Sequence, residues 1–364
     1  MRIFISGAAY AHWGNFHPSD LDKEDGPQVG GGETAMIKVA EALAARDHEV
    51  VVFANVQYGH WKGVDYLPAN MWIQMGCMMR HDVSVAWDVP AAMRFNLMSD
   101  ARVVAYQLND TYVGVLDYVI DKYFCPSEWH ARRYQQEITP EVAADKFLPR
   151  MTNAVDMGRY KADGIERDPH GVVWSSSPDR GLQHLLLAWP LIKKAAPKAR
   201  LHVFYDMNNW FRIVDENRAE GRSLITTKQA DDVRRGLALT EGMDVFTHGG
   251  VSKKKLAKAQ MSNTVGVASL DVVAPTEGFG MTVLEYMAAG LYPIAGDIDA
   301  FPELWADVAT LLPAPQESEV MAAAVLAGFK DPVSGRKRRR RIAKSMSWEF
   351  LGAKWETELE RLIA

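Results

Sequence analysis

Cysteine is scarce in this chain of 364 residues: Cys77 and Cys125 are the only two, at no metal-ligand spacing. That count excludes a disulfide scaffold and a cysteine-built zinc site, and a reduced cytoplasmic protein is the expected setting. Long apolar runs are lacking too. None reaches the roughly 18–20 residues a membrane span needs, so no transmembrane segment is expected. The start does not read as a signal peptide, because Arg2-Ile3-Phe4-Ile5-Ser6-Gly7 is one short strand soon followed by polar residues. A strongly basic balance is also missing. Net charge is −5; residues 1–165 hold 15 Lys/Arg against 21 Asp/Glu, and the remainder 26 against 25. A domain-wide nucleic-acid footprint is therefore excluded. The exception is Arg336-Lys337-Arg338-Arg339-Arg340-Arg341, expected as a solvated helix face rather than a patch for nucleic acid or anionic lipid.

What is present suits two α/β domains, with 48% apolar and 24% charged residues over a length that can build two cores. In the first half, strand 2–7 precedes a long polar and aromatic loop. A helix from Glu33 to Arg46 follows, with Ala35, Val39 and Leu43 at helical spacing. Strands are expected at His48–Phe53, Val83–Ala86, Val103–Tyr106 and Tyr123–Cys125. The second half repeats the alternation: strand Val172–Trp174, helix Gly181–Ala195, then strands Arg200–Tyr205, Val245–His248, Thr264–Leu270 and Tyr292–Ala295. Alternating strands and helices predict parallel sheets with ligands at the strand C-terminal ends. The polar, turn-rich segment near 155–170 predicts a domain boundary.

The most informative stretch is 275–290, Pro-Thr-Glu-Gly-Phe-Gly-Met-Thr-Val-Leu-Glu-Tyr-Met-Ala-Ala-Gly. Seven residues separate Glu277, in a glycine-rich loop, from Glu285, on the helix expected to follow. The free amides of Gly280, Met281 and Thr282 at that helix start suit a phosphate, with Phe279 beside them. A helix-borne carboxylate can accept hydrogen bonds from the vicinal hydroxyls of a ribose. The loop carboxylate can hold sugar hydroxyls or offset positive charge at an anomeric carbon.

This pattern resembles the Glu-x7-Glu motif of retaining, nucleotide-sugar-dependent glycosyltransferases with the two-domain GT-B fold, the family 4 type. The resemblance spans residues 2 to about 360. Trp174-Ser175-Ser176-Ser177-Pro178-Asp179-Arg180-Gly181 opens a helix, and Arg180 matches the family's Lys, a cation for the leaving diphosphate. A surface Arg in a plain connection is the alternative. The family's Arg, five residues earlier, is here Ser175, so one cation is missing; Lys253–Lys255 lies elsewhere in the chain. Gly30-Gly31-Gly32-Glu33 resembles the family's Gly-Gly-x-Glu segment, which makes Gly31 and Gly32 donor-side candidates, with a flexible turn as the alternative. His248, in Thr247-His248-Gly249-Gly250, is a candidate for the nucleotide base, with an ordinary loop His as the alternative. On the acceptor side stand His12 and Trp13 in the loop after the first strand, with aromatics packed under a lid as the alternative, and Asn109 and Asp110, where relatives carry His-Asp and where Asp110 is equally a helix cap.

The resemblance implies an α/β architecture of two Rossmann-like domains facing across a cleft: 1–162 on the acceptor side and 163–345 holding the nucleotide sugar. Segment 346–364 is an amphipathic helix crossing back onto the first domain. It implies Glu277 and Arg180 as catalytic, Glu285 as the ribose holder, and departure of the diphosphate on the face that the acceptor attacks. No metal or cofactor is expected. The donor is a nucleotide-sugar substrate, with a UDP-sugar favoured and a hexose-type sugar transferred. The acceptor is a glycan, lipid-linked glycan or small metabolite. Alternatives are a phage-type DNA glycosyltransferase acting on a hydroxylated modified base, a sugar phosphorylase, and a catalytically silent sugar- or nucleic-acid-binding homologue.

Overall fold

The computed structural model describes residues 1–7, 17–26, 29–76, 78–87, 101–106, 119–138, 142–161, 164–222, 224–271, 277–314 and 316–364. The chain divides into two compact units, 1–154 with 346–364, and 155–345.

The first unit is built on eight strands: β1 (Arg2–Ser6), β2 (Glu49–Ala54), β3 (Gly59–Trp61), β4 (Val64–Pro68), β5 (Val83–Trp87), β6 (Arg102–Tyr106), β7 (Lys122–Phe124) and β8 (Phe147–Leu148). Their order is β3-β4-β2-β1-β5-β6-β7-β8, and every pairing is parallel except β3 with β4. That hairpin, absent from the sequence-based expectation, turns at Lys62 and Gly63, both at positive φ (49° and 80°). Two such residues match the twist of the flanking strands. The central strands are buried on both faces, as the unbroken runs Ile3-Phe4-Ile5 and Val50-Val51-Val52-Phe53 require. Helix α1 (Gly31–Ala44) lays Ala35, Ile37, Val39 and Leu43 on this sheet, and α2 (Glu128–Arg133) is capped by Ser127, whose Oγ accepts from the His130 amide.

The second unit holds a six-stranded parallel sheet: β9 (Gly171–Trp174), β10 (Arg200–Val203), β11 (Val245–Thr247), β12 (Val265–Val267), β13 (Tyr292–Gly296) and β14 (Thr310–Leu312), ordered β11-β10-β9-β12-β13-β14. Counted from β9, this is the doubly wound order 3-2-1-4-5-6 of dinucleotide-binding sheets. Its topological switch point falls between β9 and β12. The helices are α3 (Leu182–Ala195), α4 (Met207–Ala219), α5 (Leu224–Leu239), α6 (Lys253–Met261), α7 (Met281–Ala289), α8 (Phe301–Trp305), α9 (Ser318–Gly328) and α10 (Val333–Ser345). Helix α3 buries Leu182, Leu185, Leu186 and Trp189 against β9, β10 and α5.

The last helix, α11 (Trp348–Ile363), belongs to the first unit. Its apolar stripe Leu351, Trp355, Leu359 is buried in that unit's core, with Trp355 among Trp87, Tyr106 and Phe124. Burying one such side chain is worth about 1.5–3 kcal/mol. Arg46 Nε meets Glu356 Oε2 at 2.6 Å and Lys354 Nζ donates to the Arg150 carbonyl at 2.5 Å, which pins the helix along its length. Among the described residues no helix is long and apolar enough to cross a membrane.

Candidate functional site

The loops that leave β9 and β12, the two strands flanking the switch point, are tied together by backbone. The indole of Trp174, at the end of β9, donates to the Ser176 carbonyl at 2.8 Å and turns the chain. Pro178–Arg180 makes a single 3-10 turn, and Gly181 follows at φ 100°. The Arg180 carbonyl then accepts from the amides of Leu270 (2.7 Å) and Asp271 (3.2 Å), beyond β12. A Cβ on Gly181 would lie 2.9 Å from Leu270 Cβ and 3.0 Å from the Asp271 nitrogen, so position 181 needs glycine for space as well as for φ.

This junction brings Arg180 to Glu277. Glu277 Oε1 accepts from Ser269 Oγ at 2.7 Å and lies 3.5 Å from Arg180 Nε; both side chains are less than one-fifth exposed. The Glu277 amide donates to Asp299 Oδ2 at 2.9 Å. Three loops thus aim one carboxylate. Gly280 then opens α7 at φ 80°, and a Cβ there would meet the Phe301 ring at 2.4 Å. The Trp305 indole donates to the Phe279 carbonyl at 2.7 Å and takes the Phe279 ring edge-on at 5.3 Å, which anchors this entry. The amides of Gly280, Met281 and Thr282 stand where an α-helix offers no internal acceptor. Glu285 is on the same helix, 8% exposed, and its Oε1 receives Lys253 Nζ at 3.0 Å.

Residues 172–346, almost all of the second unit, match the family described as glycosyl transferases group 1. No curated protein matches the chain. Among solved structures, AviGT4, a glycosyltransferase involved in avilamycin A biosynthesis, is similar over 100% of this chain and 98% of its own, with a TM-score of 0.70 and 14% identity. Sucrose-phosphate synthase from Thermosynechococcus elongatus is similar over 100% and 99%, with a TM-score of 0.67 and 13% identity. Anabaena HepE, in complex with UDP and glucose, is similar over 99% and 100%, with a TM-score of 0.68 and 13% identity. The chain shares the fold of these proteins, the GT-B fold.

In the second unit, the position that lacks the expected cation is filled by a neutral network. The Ser175 amide and Oγ meet the Tyr286 hydroxyl at 3.0 and 3.1 Å. Gln260 Nε2 donates to Ser175 Oγ at 3.2 Å, and the Tyr160 hydroxyl donates to Gln260 Oε1 at 3.0 Å. Burial pushes both phenols up, strongly so for Tyr160, where the nearby Glu285 adds to it. They stay neutral donors over the whole physiological range.

The C-terminal end of α7 answers the question of the basic run. Arg340 donates to the carbonyls of Ala288 (2.8 Å) and Tyr160 (2.7 Å), and Arg167 donates to those of Ala289 (2.8 Å) and Asn263. Arg339, 6% exposed, pairs with Asp331 and lies over the Tyr292 ring, 5.7 Å from its centroid. Cations at helix C-terminal carbonyls are favourable both as hydrogen-bond donors and against the dipole. Burial, then the charges of Arg336, Arg340 and Arg339, lowers Arg167 to about 10, still protonated at neutral pH. The expectation of a solvated face is therefore corrected at two of the six positions: Lys337, Arg338 and Arg341 are exposed, but Arg339 and Arg340 are internal braces.

His248 follows β11 and is exposed; its ring stacks on Phe204 (4.5 Å between centroids, 12°), and its Nε2 is 2.9 Å from His202 Nδ1. In the first unit, Gly31 and Gly32 form the first turn of α1 in helical conformation, behind the extended cap residue Gly30. His12, Trp13, Asn109 and Asp110 lie outside the described residues. Sequence reasoning missed Lys253, Ser269, Asp299, Gln260 and Tyr286. One signal was available for Lys253: three lysines open α6, where the dipole favours acids. Lys253 lies elsewhere in the chain than the missing cation, and the structure sets its ammonium beside Glu285.

Proposed function

We propose that this protein is a retaining, metal-independent glycosyltransferase that moves a hexose-type sugar from a nucleotide sugar to a hydroxyl acceptor. The observation that carries the reading is the Arg180–Glu277 pair beside the N-terminus of α7, with Glu285 on the same helix. The first-turn amides of α7 and the guanidinium of Arg180 would receive the diphosphate and stabilise it as it leaves. Glu277 would hold the donor sugar and offset charge at its anomeric carbon. Glu285 would accept from the ribose hydroxyls. The departing phosphate oxygen would help deprotonate the acceptor hydroxyl, so the site needs no dedicated base. The exposed stack of His248 on Phe204 suits a flat nucleotide base. The UDP and glucose held by HepE, a neighbour of the same fold, support UDP-glucose as the first donor to test. A glycan, lipid-linked glycan or small metabolite is the proposed acceptor class, and the low cysteine count supports a cytoplasmic setting.

The test is thermal unfolding of the wild type and Glu285→Ala against UDP, GDP, ADP, dTDP and their sugars. A ligand at 100 times its Kd adds about 2.7 kcal/mol. A shift with one nucleotide, lost in the variant, supports the reading. Absence of any shift overturns it and moves testing to inorganic phosphate and to DNA. With the donor known, NMR of the product's anomeric configuration tests retention, and turnover in EDTA tests metal independence.

A further inference from the structure

Helix α6 opens against the electrostatic rule for its end of a helix. Lys253, Lys254 and Lys255 occupy its first turn, where the positive end of the dipole disfavours cations, and no acid stands among them. Ser252 caps the helix, its Oγ accepting from the Lys255 amide at 3.2 Å, so the helix start is otherwise well made. A local rule broken at one well-formed helix start is expected where the residue serves a site. Lys254 and Lys255 are exposed, whereas the Lys253 side chain is 14% exposed, its ammonium 3.0 Å from Glu285 Oε1.

Among the described residues, Arg180 pairs with Glu277 and Lys253 with Glu285. The neutral network at Ser175 adds no charge, although a nucleoside diphosphate brings at least two negative ones. Lys253 is the cation next to the proposed ribose-holding carboxylate. An ammonium has three donors, and one of them reaches Glu285; a carboxylate has about four acceptor positions, so the lysine and two ribose hydroxyls can share it.

Resting on the donor-site reading above, we infer that Lys253 is a binding residue for the diphosphate of the donor: it holds Glu285 Oε1 with one N–H and offers the others to phosphate oxygens, supplying the second positive charge that Ser175 does not. Charge, not merely the shape of Glu285, is then what Lys253 contributes.

The experiment is titration calorimetry on the full chain, as wild type, Lys253→Met, Lys253→Arg and Glu285→Gln. The probes are UDP, GDP, ADP and dTDP, then the nucleoside of whichever diphosphate binds. Each variant's melting temperature without ligand confirms that it is folded. The expected result is a loss of tenfold or more in diphosphate affinity for Lys253→Met. Nucleoside affinity changes less than threefold, and Lys253→Arg restores the diphosphate to within threefold. Equal losses for diphosphate and nucleoside overturn the inference and leave Lys253 as a positioning residue for Glu285. Diphosphate affinity within twofold of wild type in Lys253→Met overturns it as well. If Glu285→Gln also leaves all binding intact, or if none of the four diphosphates binds the wild type, the donor-site reading itself has failed. A variant that melts well below the wild type is replaced by Lys253→Gln, read by the same criteria.

Discussion

Glu277 and Glu285 are eight positions apart in one motif, yet they are held in opposite ways. Glu277 hangs in a loop, and three other loops aim it: Arg180 after β9, Ser269 after β12, and Asp299 after β13, which takes the Glu277 amide. Glu285 is carried by a helix, and its Oε1 receives Lys253 Nζ. A carboxylate placed by a helix is positioned by backbone periodicity. One placed by several loops depends on every contact around it, and such convergence is what preorganised electrostatics at a reacting centre requires.

The sharpest way to break this comparison is to remove each carboxylate. Glu277→Ala should cut kcat about 10²–10³-fold, the scale seen when one transition-state contact is lost, with donor KM little changed. Glu285→Ala should raise donor KM about tenfold or more and spare kcat within a few-fold. Steady-state kinetics separates the two, and a pair that shifts the same parameter would make the distinction void.

Next in size is the hinge between them. Gly280→Ala places a Cβ against Phe301 at a backbone angle that costs an L residue about 1–2 kcal/mol, with overpacking of about 1–3 kcal/mol added. Urea unfolding should show the variant destabilised by about 2–4 kcal/mol. A change under about 0.5 kcal/mol would mean that the entry to α7 relaxes freely.

Smaller again is the far end of α7. Arg340→Met removes two bonds from a guanidinium to carbonyls, one of them on the helix's last turn. A loss of about 1–3 kcal/mol is expected in thermal unfolding, with nucleotide affinity within about twofold. A tenfold affinity loss would instead mean that the brace transmits to Glu285.

The smallest effect concerns His202 and His248. Burial lowers both, and for His202 the neighbouring His248 lowers it further, Arg200 assisting and Asp168 opposing. Lowered folded values mean that the unfolded chain binds protons first, so stability is full above the ordinary histidine value of about 6.5 and falls as pH drops through the lowered values. His248→Gln should flatten the dependence of Tm on pH between about 5 and 7. An unchanged slope would remove the pair from the account.

The fold was legible where periodicity is strong. The buried β1, β2 and β9 runs, α1 within two residues at each end, and the α3 stripe all stand close to their expected places. The β3–β4 hairpin escaped because its strands are short and its signal is only Lys62-Gly63. Helices α4 and α5 escaped because both are polar on average, and their stability comes from the packing of α4 on α5 and of α5 on α3. Strand β12 ends at Val267 rather than at Leu270 because the backbone of 270 and 271 is diverted to the Arg180 carbonyl.

Local sequence determined what depends on spacing within about ten residues: the carboxylate before a glycine, the carboxylate eight positions on, and the helix between. Tertiary structure alone decided what lies beside each of them. Lys253 is 32 positions from Glu285, and Arg180 is 97 from Glu277. Ser175 joins a neutral network that draws on α6, α7 and Tyr160. Arg340, in a run that reads as a solvated stripe, was turned inward by the carbonyl of Ala288 at the end of α7, because a buried helix end must find donors and this one was within reach.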